Sequence, residues 1–354
     1  MEIVQSVISF DDLILVTGSN GFLGTKVVEK LLQSGFRNLR CFVRFGGDFS
    51  PLADTISKFS SAKVELFKGN MSDTGDCYFA TKDAVLVINS AAGMQGGLVN
   101  MFNDSVVASR NLLEAIVEQR AVRRIVQVSS FAVYETATLR KGMLLSEETP
   151  LEVHHKERND PYSYTKLKQE QQFSQYAREY HLPLVLLRPG VIIGPGAVEL
   201  PLRVGMQMKQ LQGLVIHVGG SNIIPITYVD NCAEAAVLAG VKPGIEGETF
   251  NIVDDDLPAS SVFLHRFKEV RKNTRSIWVP YSLMQVLSRI LSWYSDYSQG
   301  QIPLIMTPHR VASTWKSFRF DNSKAKKLLG WKPRVSMAEA LNAHFESLGS
   351  KLAS

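Results

Sequence analysis

The chain reads as α/β: a doubly wound parallel sheet with a smaller C-terminal lobe. Three observations predict it. Up to Arg188, short and almost wholly apolar runs alternate with stretches of helical spacing. Such alternation builds βαβ units, and strands that are apolar throughout are those covered by helices on both faces. A glycine triplet, Gly18, Gly21 and Gly24, separates the first apolar run from the first helical pattern. Beyond Gly194-Pro195-Gly196 the segments become shorter and less regular, which marks a second lobe.

Each element can be justified in order. Leu13 to Thr17 is the first strand, and the helix after it carries Val27, Val28, Leu31 and Leu32 until Gly35 stops it. Leu39 to Val43, Val64 to Phe67 and Ala84 to Ile88 are the next strands. Ser105 to Glu118 has helical spacing through Val106, Leu112, Leu113 and Ile116. Ile125 to Val128 is a strand, Tyr162 to Tyr180 a helix, and Leu184 to Arg188 another strand. Thr249 to Val253 is a late strand that returns to the sheet. Residues 281–294 set Leu283, Val286, Leu287, Ile290, Leu291 and Tyr294 on one helical face, expected to pack on the smaller lobe. A lid over an apolar pocket is the sharper alternative; a membrane-surface role is a third and weaker one, because the polar face has only Arg289. Residues 1–10 form an extension without an assigned role.

The 354 residues are 45% hydrophobic and 21% charged, enough for one large or two unequal domains with a sizeable core. A net charge of +5 from scattered Lys and Arg gives no basic stripe, so no nucleic acid is expected. Cys41, Cys77 and Cys232 are odd in number and lack metal-ligand spacing, which suits buried thiols in a reducing compartment. With no basic leader and no apolar run of bilayer length, the expected compartment is the cytoplasm. No metal site is expected: His154 and His155 sit in a charged loop, and Asp254-Asp255-Asp256 reads as a solvated turn.

Thr17-Gly18-Ser19-Asn20-Gly21-Phe22-Leu23-Gly24 lies where strand turns to helix. Glycines there let backbone N–H groups approach a pyrophosphate, and the helix N-terminus adds partial positive charge. Arg44 ends the second strand, where a carboxylate would suit the ribose hydroxyls of NAD and an arginine suits the 2′-phosphate of NADP. NADP is therefore preferred, with Asp48 keeping NAD open. Tyr162 and Lys166 share a helical face, four residues apart. A cation beside a phenol favours the phenolate, so the Tyr162 pKa is expected to fall toward the working pH.

These motifs resemble the extended short-chain dehydrogenase/reductase family, the NAD-dependent epimerase/dehydratase and 3β-hydroxysteroid dehydrogenase-like group, from about residue 12 to about 345. The resemblance implies a Rossmann domain over residues 11–196, with returning segments near 226–254. It leaves 197–225 and 255–354 as a substrate-binding lobe. By its register Val128-Ser129-Ser130-Phe131-Ala132-Val133-Tyr134 makes Ser130 the catalytic hydroxyl, beside Tyr162 as acid or base and Lys166. Cofactor contacts fall on Gly18, Asn20, Gly21, Phe22, Leu23, Gly24, Arg44, Asn70, Met71, Ala91, Ala92, Lys166, Pro189, Val191 and Ile192. Asn70 replaces the usual Asp that meets adenine, and Ser105 replaces the usual Asn. The resemblance also implies a homodimer through helices near 102–118 and 162–180.

The branch within the family follows from what is missing. Phe131 and Ala132 stand where 4,6-dehydratases carry an Asp-Glu pair. Ile224 stands where many epimerases carry an Arg for the substrate diphosphate, with Arg203, Lys209 or His217 as possible replacements. The primary expectation is hydride transfer between NAD(P) and the carbonyl or secondary alcohol of a small, less charged substrate. A nucleotide-sugar epimerase with tightly bound cofactor is the alternative. A non-enzymatic cofactor sensor is disfavoured by the intact Ser130, Tyr162 and Lys166.

Overall fold

The computed structural model describes all residues except 1–4, 95, 198–199, 209–210, 212, 300, 302–303, 305 and 354. Seven strands form one sheet in the spatial order Thr249–Ile252, Leu184–Pro189, Arg124–Val128, Leu86–Asn89, Ile14–Thr17, Asn38–Arg44, Lys63–Gly69. Every neighbouring pair is parallel. The chain winds outward from Ile14–Thr17 in both directions, so the order reverses beside that strand. The C-terminal ends of its neighbours diverge there into a crevice. The inner strands Ile14–Thr17, Leu86–Asn89 and Arg124–Val128 are buried at every residue, as their apolar runs require.

Helices cover both faces. On one, Phe22–Gln33 and Val229–Val241 pack together over Val16, Ile88 and Val126. On the other, Thr74–Thr81, Ala108–Gln119 and Pro161–Tyr180 cover Leu15, Val87 and Ile125. The helix expected from Ser105 begins as a π-helical turn, Asn103–Val107, before Ala108–Gln119. Residue Ile8 is buried in the first core and Val7 N–H donates to Val241 O, which gives the N-terminal extension a packing role.

The second lobe has its own core around Phe263, Phe267, Ile224 and Phe345, with a small sheet of Gly205–Met208, Leu214–Val218 and Ser276–Val279. Ala325, Leu329 and Trp331, placed by sequence in the smaller lobe, instead pack in the core of the main sheet. Asp254 is also not part of a solvated turn. It is buried and accepts from Tyr228 N (2.9 Å), Asn231 Nδ2 (2.8 Å) and Thr227 Oγ1 (3.1 Å), stapling the returning strand to the following helix. Its neighbour Asp255 pairs with Lys326 at 2.6 Å.

The helix Tyr281–Tyr297 departs furthest from expectation. Its apolar face is exposed, and the seam turned to the protein is Met284, Ser288 and Ser295. The seam packs on the Pro308–Trp315 helix, with Gln285 Nε2 donating to Pro308 O at 3.2 Å. Among the described residues no helix is long and apolar enough to cross a membrane.

Candidate active site

A cleft of about 1110 Å³ runs along the crevice between the sheet and the second lobe. Every residue expected to hold cofactor or to act in chemistry lines it. The glycine loop is built for close approach. Gly18 has φ +64°, and a Cβ on it would meet Ala91 N at 2.9 Å. A Cβ on Gly24 would lie 2.0 Å from Gly18 O, so only glycine lets the helix start against the loop. Gly21 is the N-cap of Phe22–Gln33 and brings no side-chain acceptor. The first-turn N–H groups are therefore left for an anion, which is how such termini hold pyrophosphate. These features fit a dinucleotide.

Ser130 follows the Arg124–Val128 strand, and its Oγ accepts from Ala132 N at 3.1 Å. Ser163 Oγ donates to Ala132 O at 2.6 Å and docks the first turn of Pro161–Tyr180 on that loop. The docking brings Tyr162 to Ser130, whose hydrogen bond favours the phenolate. Burial outweighs it and raises the Tyr162 pKa above its ordinary value. The expected lowering by Lys166 is not found, for a geometric reason. Lys166 Nζ donates to Val128 O (2.7 Å) and Gln169 Oε1 (2.7 Å) rather than to the phenol. Burial pulls its own pKa down to about 8, with Glu170 acting in the opposite direction.

Two supporting residues went unseen in the sequence. Gln169 Nε2 donates to Ser109 Oγ at 2.8 Å, so the partner of Lys166 is fixed by the neighbouring helix. Glu170 is buried and takes Arg188 in a two-point contact (Nη2–Oε1 2.5 Å, Nε–Oε2 3.2 Å) as well as the Ser129 hydroxyl. Arg188 Nη1 also reaches the Tyr134 hydroxyl at 2.9 Å. The only signal for Glu170 was its place one turn beyond Lys166.

At the outer end of the cleft Arg44 is exposed and reaches Asp104 at 3.2 Å. Asp48 does not line the cleft; its carboxylate accepts from Ser50 N at 2.9 Å. Asn70 Oδ1 accepts from Ser72 N at 3.0 Å, and Met71 O accepts from Asn111 Nδ2 at 3.1 Å.

At the inner end Phe131, Leu145, Leu200, Phe318 and Phe320 make apolar walls around two guanidiniums. Arg158 is held by Glu152 at 3.3 Å. Arg203 donates to Ile223 O (2.9 Å) and Lys316 O (2.7 Å) and makes no ion pair among the described residues. Burial and, to a lesser degree, Arg158 bring its pKa down to about 10. Ile224 is buried in the lobe core, His217 is buried against Val204 O at 2.6 Å, and Lys209 lies outside the described residues. A further group, Glu135, Glu152 and His309, brings its ligand-capable atoms within 4.8 Å of one another. His309 reaches Glu152 at 3.2 Å and so ties the Pro308–Trp315 helix to the sheet domain.

Residues 14–252 match the model of the NAD dependent epimerase/dehydratase family. The chain belongs to that family. It is an NAD-dependent type of enzyme, and its extended short-chain dehydrogenase/reductase architecture is the one described above. A sterol-4-alpha-carboxylate 3-dehydrogenase (decarboxylating) of Candida albicans is 29% identical over 93% of this chain and 95% of its own length. A 2-alkyl-3-oxoalkanoate reductase of Stenotrophomonas maltophilia is 27% identical over 93% and 97%. A UDP-glucuronic acid 4-epimerase of Bacillus cereus, solved with UDP-glucuronic acid and NAD, superposes with a TM-score of 0.71 at 20% identity, covering 96% of this chain and 99% of that one. At that identity the likeness concerns the fold.

Proposed function

We propose that this enzyme interconverts a secondary alcohol and a ketone placed β to a carboxylate on a largely apolar body, with NADP(H) as its preferred coenzyme. The observation that carries the substrate class is Arg203, a half-buried guanidinium among apolar walls that donates to two backbone carbonyls, lies over the Phe320 ring at 5.6 Å and has no carboxylate partner among the described residues. A cation set among apolar walls without a counter-ion is costly, and a substrate carboxylate would supply one. The names of the two relatives describe this same relation, a carboxylate one carbon away from the carbon that is oxidised or reduced. Ile224, in the core of the lobe, offers no charge to the diphosphate of a nucleotide sugar, and of its replacements among the described residues Arg203 alone lines the cleft.

The bound dinucleotide supplies the hydride acceptor or donor. In the oxidative direction Tyr162 takes the proton from the substrate hydroxyl, and in the reductive direction it returns one to the ketone oxygen. Ser130 hydrogen-bonds the same oxygen and holds it against the phenol. Lys166, fixed by Gln169, places a positive charge below them and is the candidate partner for the ribose hydroxyls. A ketone formed β to a carboxylate is activated for loss of carbon dioxide, since the released electron pair passes into the carbonyl. NADP is favoured because Arg44 lines the adenosine end of the cleft while Asp48 is turned away to cap a helix. We infer in addition a cytoplasmic homodimer through the helices Ala108–Gln119 and Pro161–Tyr180, which a sizing column tests.

The experiment is a panel of 3-hydroxy acids and their carboxamides, followed at the absorbance of reduced nicotinamide. The acids should turn over and the carboxamides should not, and Arg203→Leu should erase that discrimination. In Tyr162→Phe turnover should fall by about 10²–10⁴-fold with cofactor binding retained. Equal rates on acid and amide would overturn the substrate class, and near-wild-type turnover of Tyr162→Phe would overturn the mechanism.

A further inference from the structure

We infer that the Tyr281–Tyr297 helix and the strand leading into it dock this protein on the surface of a lipid bilayer with anionic headgroups. The helix is amphipathic in the reverse sense of a soluble one. At 3.6 residues per turn, Leu283, Val286, Leu287, Ile290, Leu291, Trp293, Tyr294 and Tyr297 fall within an arc of about 160°. All are exposed, from 41% at Leu287 to 75% at Tyr297. The seam against the protein is made of small and polar side chains, Ser288 and Ser295 beside Met284. An ordinary surface helix buries its apolar stripe and shows its serines to water.

The patch extends beyond the helix. The preceding strand, Ser276–Val279, joins it through Pro280 and exposes Ile277 (55%) and Trp278 (61%). A soluble monomer rarely leaves so long a contiguous apolar surface uncovered.

The composition of the patch identifies its occupant. Trp293, Tyr294 and Tyr297 bring indole and phenol groups, the side chains that concentrate where hydrocarbon meets headgroups, and Trp278 adds its ring, its N–H donating to Gly219 O at 2.8 Å. Trp293 and Tyr297 stack at 5.8 Å. The segment immediately before the strand carries Lys268, Arg271, Lys272 and Arg275 against Glu269 alone, a cationic edge for anionic headgroups. Arg289 lies at the border of the apolar arc, where a long side chain can reach back to the interface. The helix itself has only Arg289 and Asp296 as charges. A helix–helix pairing face is narrower and flanked by charges along both edges, whereas here Arg289 and Asp296 lie beside one edge alone. The inference concerns a surface outside the catalytic cleft and stands whatever the substrate proves to be.

The test is flotation of the whole protein with phosphatidylcholine vesicles, with and without phosphatidylserine. Binding should require vesicles and strengthen with phosphatidylserine. Because Trp315 and Trp331 are buried, a blue shift of emission on binding reports on Trp278 and Trp293. The double variant Leu287→Asp/Ile290→Asp changes exposed positions only, so its thermal unfolding should match wild type while vesicle binding falls by at least about tenfold. Lys272→Ala/Arg275→Ala should lose the phosphatidylserine dependence alone. Absence of flotation in wild type, or equal flotation of the Asp variant, would overturn the proposal. A dimer that the Asp variant abolishes, without vesicle binding, would assign the face to a second copy and overturn it too.

Discussion

Replacing Lys166 with Met should stabilise the cofactor-free protein at neutral pH while removing its turnover. The side chain is 3% exposed, and burial moves its pKa from 10.5 to about 8. That displacement corresponds to roughly 3 kcal/mol held against folding while the ammonium stays charged. Burial sets that penalty, with the attraction of Glu170 opposing it. Val128 O keeps a second donor, Gln127 Nε2 at 2.9 Å, so the Met variant leaves only Gln169 Oε1 without a partner. An unpaired buried acceptor costs about 1–3 kcal/mol, which leaves a net gain on the order of 1 kcal/mol.

The pH dependence distinguishes this account from a simple packing gain. A lysine with a lowered pKa gives up its proton earlier in the folded than in the unfolded state. From about pH 8 to 10.5 the unfolded chain binds more protons, so this group's contribution to stability rises through that window. Below about pH 8 both states hold the proton and the full penalty applies. The thiols of Cys41, Cys77 and Cys232, raised by burial, act in the opposite sense over the same range. The informative quantity is therefore the difference between wild type and variant, measured by denaturant unfolding at a series of pH values without cofactor. Wild type should gain on Lys166→Met by roughly 3 kcal/mol between pH 8 and 10.5. Parallel curves would refute a charged, desolvated Lys166.

Gly24→Ala should abolish cofactor binding by titration calorimetry, because its Cβ would fall 2.0 Å from Gly18 O and the helix start must move off the loop. Glu170→Gln should lower unfolding free energy by about 3–5 kcal/mol, since Arg188 is left as a buried cation without its carboxylate. A loss below about 1 kcal/mol would mean that Arg188 finds water instead. Arg44→Ser should raise the KM for NADPH by tenfold to a hundredfold, the worth of a charge-assisted contact of about 1.5–3 kcal/mol, and leave that for NADH unchanged. Equal effects on both coenzymes would place Arg44 away from the 2′-phosphate.

The parts of this enzyme that could be read in advance are those where a single local constraint decides. Leu13 to Thr17 and Ile125 to Val128 are apolar at consecutive positions because both faces of an inner strand are covered, and the spacing of Gly18, Gly21 and Gly24 follows from backbone clearance. The four-residue spacing of Tyr162 and Lys166 put them on one helix face, Ser130 came from the register of the family motif, and all three line the cleft. Gln169 and Glu170 were not legible, because a polar residue on a helix has the same sequence signature whether it meets water or a buried arginine. Only the packing of Pro161–Tyr180 on Ala108–Gln119 decides which.

The Tyr281–Tyr297 helix carries that argument to its end. Periodicity located its apolar face correctly, from Leu283 to Tyr294, but the same pattern serves protein, lipid or a second subunit as its cover. What separates these is the opposite face. Toward its own protein the helix offers Met284 and Tyr281, which join Val218, Met306, Val311 and Trp315 in a small apolar cluster, and Gln285, which donates to Pro308 O; the wider apolar arc takes no part in that packing. The apolar side must then be covered by something outside the chain, and the expectation of packing on the lobe failed because it considered only one of the two faces.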